Sequence, residues 1–139
     1  MTNILIIAGE ASGDLHGEKL MREINALDNS ITFFGIGGDK MKSAGLISFY
    51  SVSEMAFVGF WEVIKNLPFI RKVKKELISA VIENNIKTVI LIDYPGFNLN
   101  IAKKFKSLGV KVIYYISPQL WAWGQKRVEI VRTLVDKMI

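Results

Sequence analysis

The chain has 139 residues, half of them hydrophobic and 22% charged, which suits one folded domain with a real core and excludes a disordered segment. It has no cysteine and one histidine, His16, so disulfides, thiolate metal sites and histidine clusters are excluded and a reducing compartment is the simplest reading. A net charge of +5 and a sequence pI near 9.5 favour anionic partners, whether nucleic acid, phosphate ligands or acidic lipid surfaces.

The first apolar run lacks a preceding basic region and is too short for a secretory signal. No uninterrupted apolar stretch approaches the roughly 20 residues that span a bilayer, so a cytosolic protein is expected, with membrane association left open. Apolar runs at residues 3–8, 31–35, 88–93 and 110–116 predict buried strands, with a weaker one at 46–50. Helical patterns fall between them at 14–27, 60–84, 98–108 and 125–135. Gly109 is expected to end one helix and Pro68 to break or kink another. Residues 136–139 read as the start of a further strand. Continuously apolar strands alternating with helices predict an α/β, Rossmann-like three-layer domain built on a parallel sheet.

In such a sheet ligands bind beyond the carboxyl ends of the strands. The unusual residues of this chain fall at those ends. Gly9-Glu10-Ala11-Ser12-Gly13-Asp14 follows the first strand, and its spare amides beside a helix start suit a phosphate or a sugar hydroxyl. Ser12 reads equally as a helix cap. The loop is neither a dinucleotide fingerprint nor a P-loop. Residues 35–38 hold three glycines, which either admit a ligand or make a tight turn into a short helix at 40–44.

Asp93 ends its strand where a side chain faces the crevice, and there it could accept a proton from a substrate hydroxyl. The competing reading is a carboxylate bonded to turn amides near Pro95 and Gly96. Asn98 is as well suited to capping a helix as to touching a ligand. The stretch 117–127 places Ser117, Trp121, Trp123, Lys126 and Arg127 past another strand. Aromatic faces pack on sugar rings, and the basic pair can hold a phosphate. The indoles could instead close the core. His16 has no partner at metal spacing, and no Asp-x-Asp pair occurs, so neither a metal nor another cofactor is expected.

Residues 55–75, MAFVGFWEVIKNLPFIRKVKK, carry more apolar side chains than one core-facing stripe requires, closely followed by cations. Phe57, Phe60, Trp61, Ile64 and Phe69 with Arg71 and Lys72 could lie in an anionic membrane interface or line a slot for acyl chains. A core helix with a solvated basic end is the alternative. Nucleic acid is not indicated, since no helix-turn-helix or RNA-binding signature accompanies the charge.

The strings AGEASGD (8–14), FFGIGGDKM (33–41), MAFVGFWEV (55–63), DYPGFN (93–98) and YISPQLWAWGQKR (115–127) resemble the lipid-A-disaccharide synthase family in order and spacing, through nearly the whole chain. The serine-proline-tryptophan string is highly specific, whereas Gly-Ile-Gly-Gly alone is not. That family consists of inverting glycosyltransferases of the two-domain GT-B architecture. They join UDP-2,3-diacylglucosamine to the 6-hydroxyl of 2,3-diacylglucosamine 1-phosphate (lipid X), releasing UDP, at the cytoplasmic side of the inner membrane. The resemblance implies that residues 1–139 are the amino-terminal, acceptor- and membrane-binding half. The donor half would be absent and this part inactive alone.

On that basis Asp93 is the expected general base, with Glu10 its rival. Gly9, Ser12, Gly13, Asp14, Asn98, Ser117, Trp121, Trp123, Lys126 and Arg127 are the expected acceptor contacts. The alternatives are a nucleotide-binding Rossmann domain of another enzyme and a non-catalytic lipid-binding module. The first is disfavoured by the missing dinucleotide glycine spacing.

Overall fold

The computed structural model describes residues 2–55, 68–115 and 136–138. The elements are β1 (Thr2–Ala8), α1 (Ala11–Leu27), β2 (Ile31–Ile36), α2 (Asp39–Ser43), β3 (Ile47–Tyr50), α3 (Pro68–Glu83), β4 (Thr88–Ile92), α4 (Pro95–Ser107), β5 (Lys111–Tyr115) and β6 (Lys137–Met138). The six strands form one sheet in the order β3-β2-β1-β4-β5-β6. Every neighbouring pair is parallel. This is the doubly wound order, in which the chain runs outward from β1 in one direction and returns to continue from β4 in the other.

The apolar runs form strands because helices cover both faces. Leu5 and Ile7 of β1 share one core with Val73 and Leu77 of α3, Ile101 and Phe105 of α4, and Tyr114 of β5. The alternate residues Ile4, Ile6 and Ala8 face a second core with Met21 of α1 and Met41 of α2. Period-two alternation along β1 thus feeds two layers of helix, and the three-layer expectation is met.

Several boundaries shift, each for a local reason. Helix α1 begins at Ala11, three residues before the predicted start, because Gly13 packs its backbone close to Ala8 and Ile92. Helix α4 likewise begins at Pro95, where the fixed φ and missing N–H of proline suit a first turn. Pro68 is the first described residue of α3, so the break or kink expected there is not tested by the described residues. Gly109, at φ 76°, follows α4 as expected. The expected final strand forms as β6, pairing with Ile113 and Tyr114 of β5. The predicted helix at 125–135, and residues 60–67 of the predicted 60–84 helix, lie outside the described residues.

The glycine turn after β2 has a structural cause. Gly35 sits at φ 146°, and a Cβ there would lie 1.9 Å from the Ile6 carbonyl oxygen of the neighbouring strand. Of the two readings of residues 35–38, the turn into a short helix is the one realised.

Candidate functional site

Parallel register brings all the strand tips to one edge. Ala8 pairs with Ile92, and Ile92 pairs with Tyr115, so β1, β4 and β5 end side by side, and the residues that follow β1 and β4 leave the sheet next to each other. Between β1 and β4 the connections diverge, and a switch point of this kind opens a crevice. Gly9 and Glu10 stand on one side of it, Asp93 and Tyr94 on the other.

The turn after β4 is unusual. Asp93 (φ 43°) and Tyr94 (φ 53°) are consecutive non-glycine residues in the left-handed region. Each costs roughly 1–2 kcal/mol, so the surroundings must over-determine the turn. They do so with four contacts. The Asn98 Nδ2 donates to the Asp93 carbonyl at 2.8 Å and lies 3.4 Å from that of Ile92. The Tyr114 hydroxyl donates to the same Asp93 carbonyl. The Tyr94 hydroxyl donates to the Met55 carbonyl. The Tyr94 ring lies flush over Gly9, where an added Cβ would meet it at 2.5 Å.

Asp93 itself is half-buried, and its carboxylate makes no hydrogen bond or ion pair with the described residues. It does not bond the turn amides; the backbone carbonyl of Asp93, not its side chain, is what holds the turn. Tyr114 is fully buried. Burial, and then the neighbouring Asp93 charge, push its hydroxyl well above the ordinary tyrosine range, so it stays a donor.

Asn98 was expected either as a cap or as a ligand contact. It is no cap: Tyr94 holds that position, and Asn98 sits in the first turn of α4 with its amide turned back to the carbonyls. It is wholly buried, and its Oδ1 has no partner among the described residues.

On the β1 side, Glu10 is exposed and occupies the cap position of α1 without a side-chain cap bond. Ser12 is also exposed and caps nothing. The first amides of α1 have no partner inside the helix, and its positive end stands at the crevice beside Gly9. Asp14 corrects the expectation of an acceptor contact. It is 6% exposed, and its two oxygens accept from the amides of Gly38 (2.8 Å), Lys40 (3.2 Å) and Met41 (3.0 Å). The buried charge is thereby satisfied by the start of α2, at about 1.5–3 kcal/mol for a charged hydrogen bond. A Cβ on Gly38 would lie 2.4 Å from the carboxylate, which explains that glycine too.

The other expected contacts divide by position. Ser117, Trp121, Trp123, Lys126 and Arg127 lie outside the described residues, as do Phe57, Phe60, Trp61 and Ile64. Phe69 is half-buried: its ring meets Tyr50 edge-on at 5.6 Å and packs on the core. Arg71 and Lys72 are exposed on α3, and Lys72 borders a shallow groove of about 570 Å³ floored by Phe34 and Phe49. His16 is exposed. Among the described residues no helix is long and apolar enough to cross a membrane, and no carboxylate or histidine group is arranged to hold a metal.

Tyr94 and Tyr114 were not among the residues expected from the sequence. A tyrosine in the middle of a buried strand must place its hydroxyl on a partner, and that need is the signal Tyr114 carried.

A doubly wound parallel domain with a carboxylate raised on a strained turn at the switch point belongs to the Rossmann-like class whose ligands sit beyond the strand tips. Comparison with known proteins narrows the class. A family model described as lipid-A-disaccharide synthetase matches residues 4–139, and the chain belongs to that family. It is 47% identical over 135 residues to the lipid-A-disaccharide synthase of Trichlorobacter lovleyi, covering 97% of this chain and 35% of that protein. The enzyme of Geobacter sulfurreducens is 48% identical over the same shares, and that of Myxococcus xanthus 42% over 142 residues, all of this chain and 37% of that one. The chain thus spans about a third of the length of these curated relatives, less than the half that the resemblance suggested.

Proposed function

We propose that this chain is the amino-terminal, acceptor-binding part of an inverting glycosyltransferase that makes the lipid A disaccharide. The substrates are UDP-2,3-diacylglucosamine and lipid X, and UDP is released. The observation that supports this reading is the register Ala8–Ile92–Tyr115, which sets the ends of β1, β4 and β5 side by side in a chain of this family.

The chemistry asked of the site is modest. The acceptor 6-hydroxyl oxygen forms a bond to the anomeric carbon of the donor while the bond from that carbon to the diphosphate oxygen breaks. UDP leaves with the electron pair, and the hydroxyl proton passes to a base. Inversion needs one base and an in-line approach, with no covalent intermediate. Asp93 is that base in our reading: it is half-buried, held on a fixed turn, and its carboxylate is not committed to a described partner. Glu10, exposed on the other side of the crevice, is the rival and is better suited to a sugar hydroxyl.

The amino terminus of α1 with Gly9, Ser12 and Gly13 offers amides to the acceptor. Ser117, Trp121, Trp123, Lys126 and Arg127 are the other acceptor contacts of this reading. The aromatic segment that follows Met55 takes acyl chains and rests on the anionic inner-membrane surface, with Arg71 and Lys72 adding charge. Donor diphosphate contacts come from the remaining length of such an enzyme.

Replacement of Asp93 in a full-length family enzyme bearing these residues tests the assignment. Asp93→Asn is expected to leave folding intact and to cut turnover by about 10²–10⁴-fold, while Glu10→Gln costs far less. Near-normal turnover of Asp93→Asn, or a larger loss from Glu10→Gln, removes Asp93 as the base.

A further inference from the structure

We infer that Tyr114 and Asn98 are positioning residues for Asp93, clamping its backbone carbonyl from two sides so that the strained turn presents the carboxylate at the switch point. The inference rests on the reading of Asp93 as the base. It goes further in naming what aims that base.

Three observations converge. The Asp93 carbonyl receives both the Asn98 amide and the Tyr114 hydroxyl, from α4 and β5, two elements that pack against each other beside β4. The carbonyl belongs to a residue at φ 43°, followed by another at φ 53°, a conformation that relaxes unless held. Both clamping side chains are buried, which strengthens their bonds to the half-buried Asp93 backbone.

Asn98 shows what the site retains. Its Nδ2 is used and its enclosed Oδ1 is left without a partner among the described residues. An apolar residue would avoid that cost, so the amide is kept for its donor. A phenylalanine would fill the Tyr114 position on a buried strand nearly as well, but could not reach the carbonyl with a proton.

The test uses a full-length family enzyme carrying these residues. Tyr114→Phe keeps the ring and removes one clamp. It is expected to lower kcat about 10–100-fold while leaving the acceptor KM within about threefold, because a base displaced by a fraction of an ångström loses reactivity more than the pocket loses affinity. In an Asp93→Asn background the same change should cost less than about twofold, since no base is left to aim. Asn98→Ala should repeat both results, and it provides the second arm should Tyr114→Phe not fold.

A wild-type kcat in Tyr114→Phe, with Asp93→Asn inactive, overturns the clamp and spares the base. A loss of equal size in the Asp93→Asn background marks Tyr114 as merely structural and also overturns the clamp. An active Asp93→Asn overturns both.

Discussion

Gly9 makes no hydrogen bond through a side chain and carries no charge, yet it decides how near the β1 and β4 tips can come. The Tyr94 ring occupies the place its Cβ would take, and the Tyr94 hydroxyl reaches on to Met55, just before the aromatic segment. One tyrosine thus ties the first loop, the carboxylate turn and the entry to the 55–75 segment into a unit. Gly9→Ala is expected to push that ring aside and destabilise the fold by about 1–3 kcal/mol, as overpacking does. Denaturant unfolding measures this; a change under about 0.5 kcal/mol would mean the ring moves freely. At the same scale Asp14 shows why single positions mislead when read from sequence. Its neighbours suggested a ligand loop, but its partners are the amides of Gly38, Lys40 and Met41, reached only through the fold.

Among the elements, strands were the most legible, because a buried strand needs an unbroken apolar run and this chain has few such runs. Helix starts were less so. Ala11-Ser12-Gly13 and Pro95-Gly96-Phe97 have the composition of loops, and become first turns because tertiary packing and proline geometry favour it. The joint between β3 and α3 offers a measurable consequence. The Tyr50 hydroxyl donates to Glu76 at 2.6 Å, and burial, then that bond and the Glu76 charge, push its pKa up to about 12. The folded chain therefore holds this proton more tightly than the unfolded one, whose tyrosine titrates near 10. The stabilisation is complete below pH 10 and is lost as pH rises through 12. Thermal unfolding of the wild type should fall over that window more steeply than that of Tyr50→Phe; parallel curves would contradict the assignment.

For the whole molecule, the parallel doubly wound order could be anticipated from alternating strands and helices, and with it the edge where a ligand belongs. The sequence also pointed to the Gly9, Asp93 and Ser117 loops as neighbours. The register bears this out for the first two and for the strand that leads to the third, ending at Tyr115. What could not be read was the device that joins them. Tyr114 looks like one more apolar strand residue, and Asn98 like an ordinary cap, until β5 and α4 are folded against β4. Both lie within packed elements, where composition reports burial and not the bond a single polar atom makes.

The most direct measurement is a crystal structure of a full-length family enzyme bearing these residues, soaked with lipid X. The account predicts the acceptor 6-oxygen within about 3.2 Å of the Asp93 carboxylate, with the sugar between the β1 and β4 tips. An acceptor seated away from that crevice, with its 6-oxygen nearer Glu10 or any other carboxylate, would contradict it.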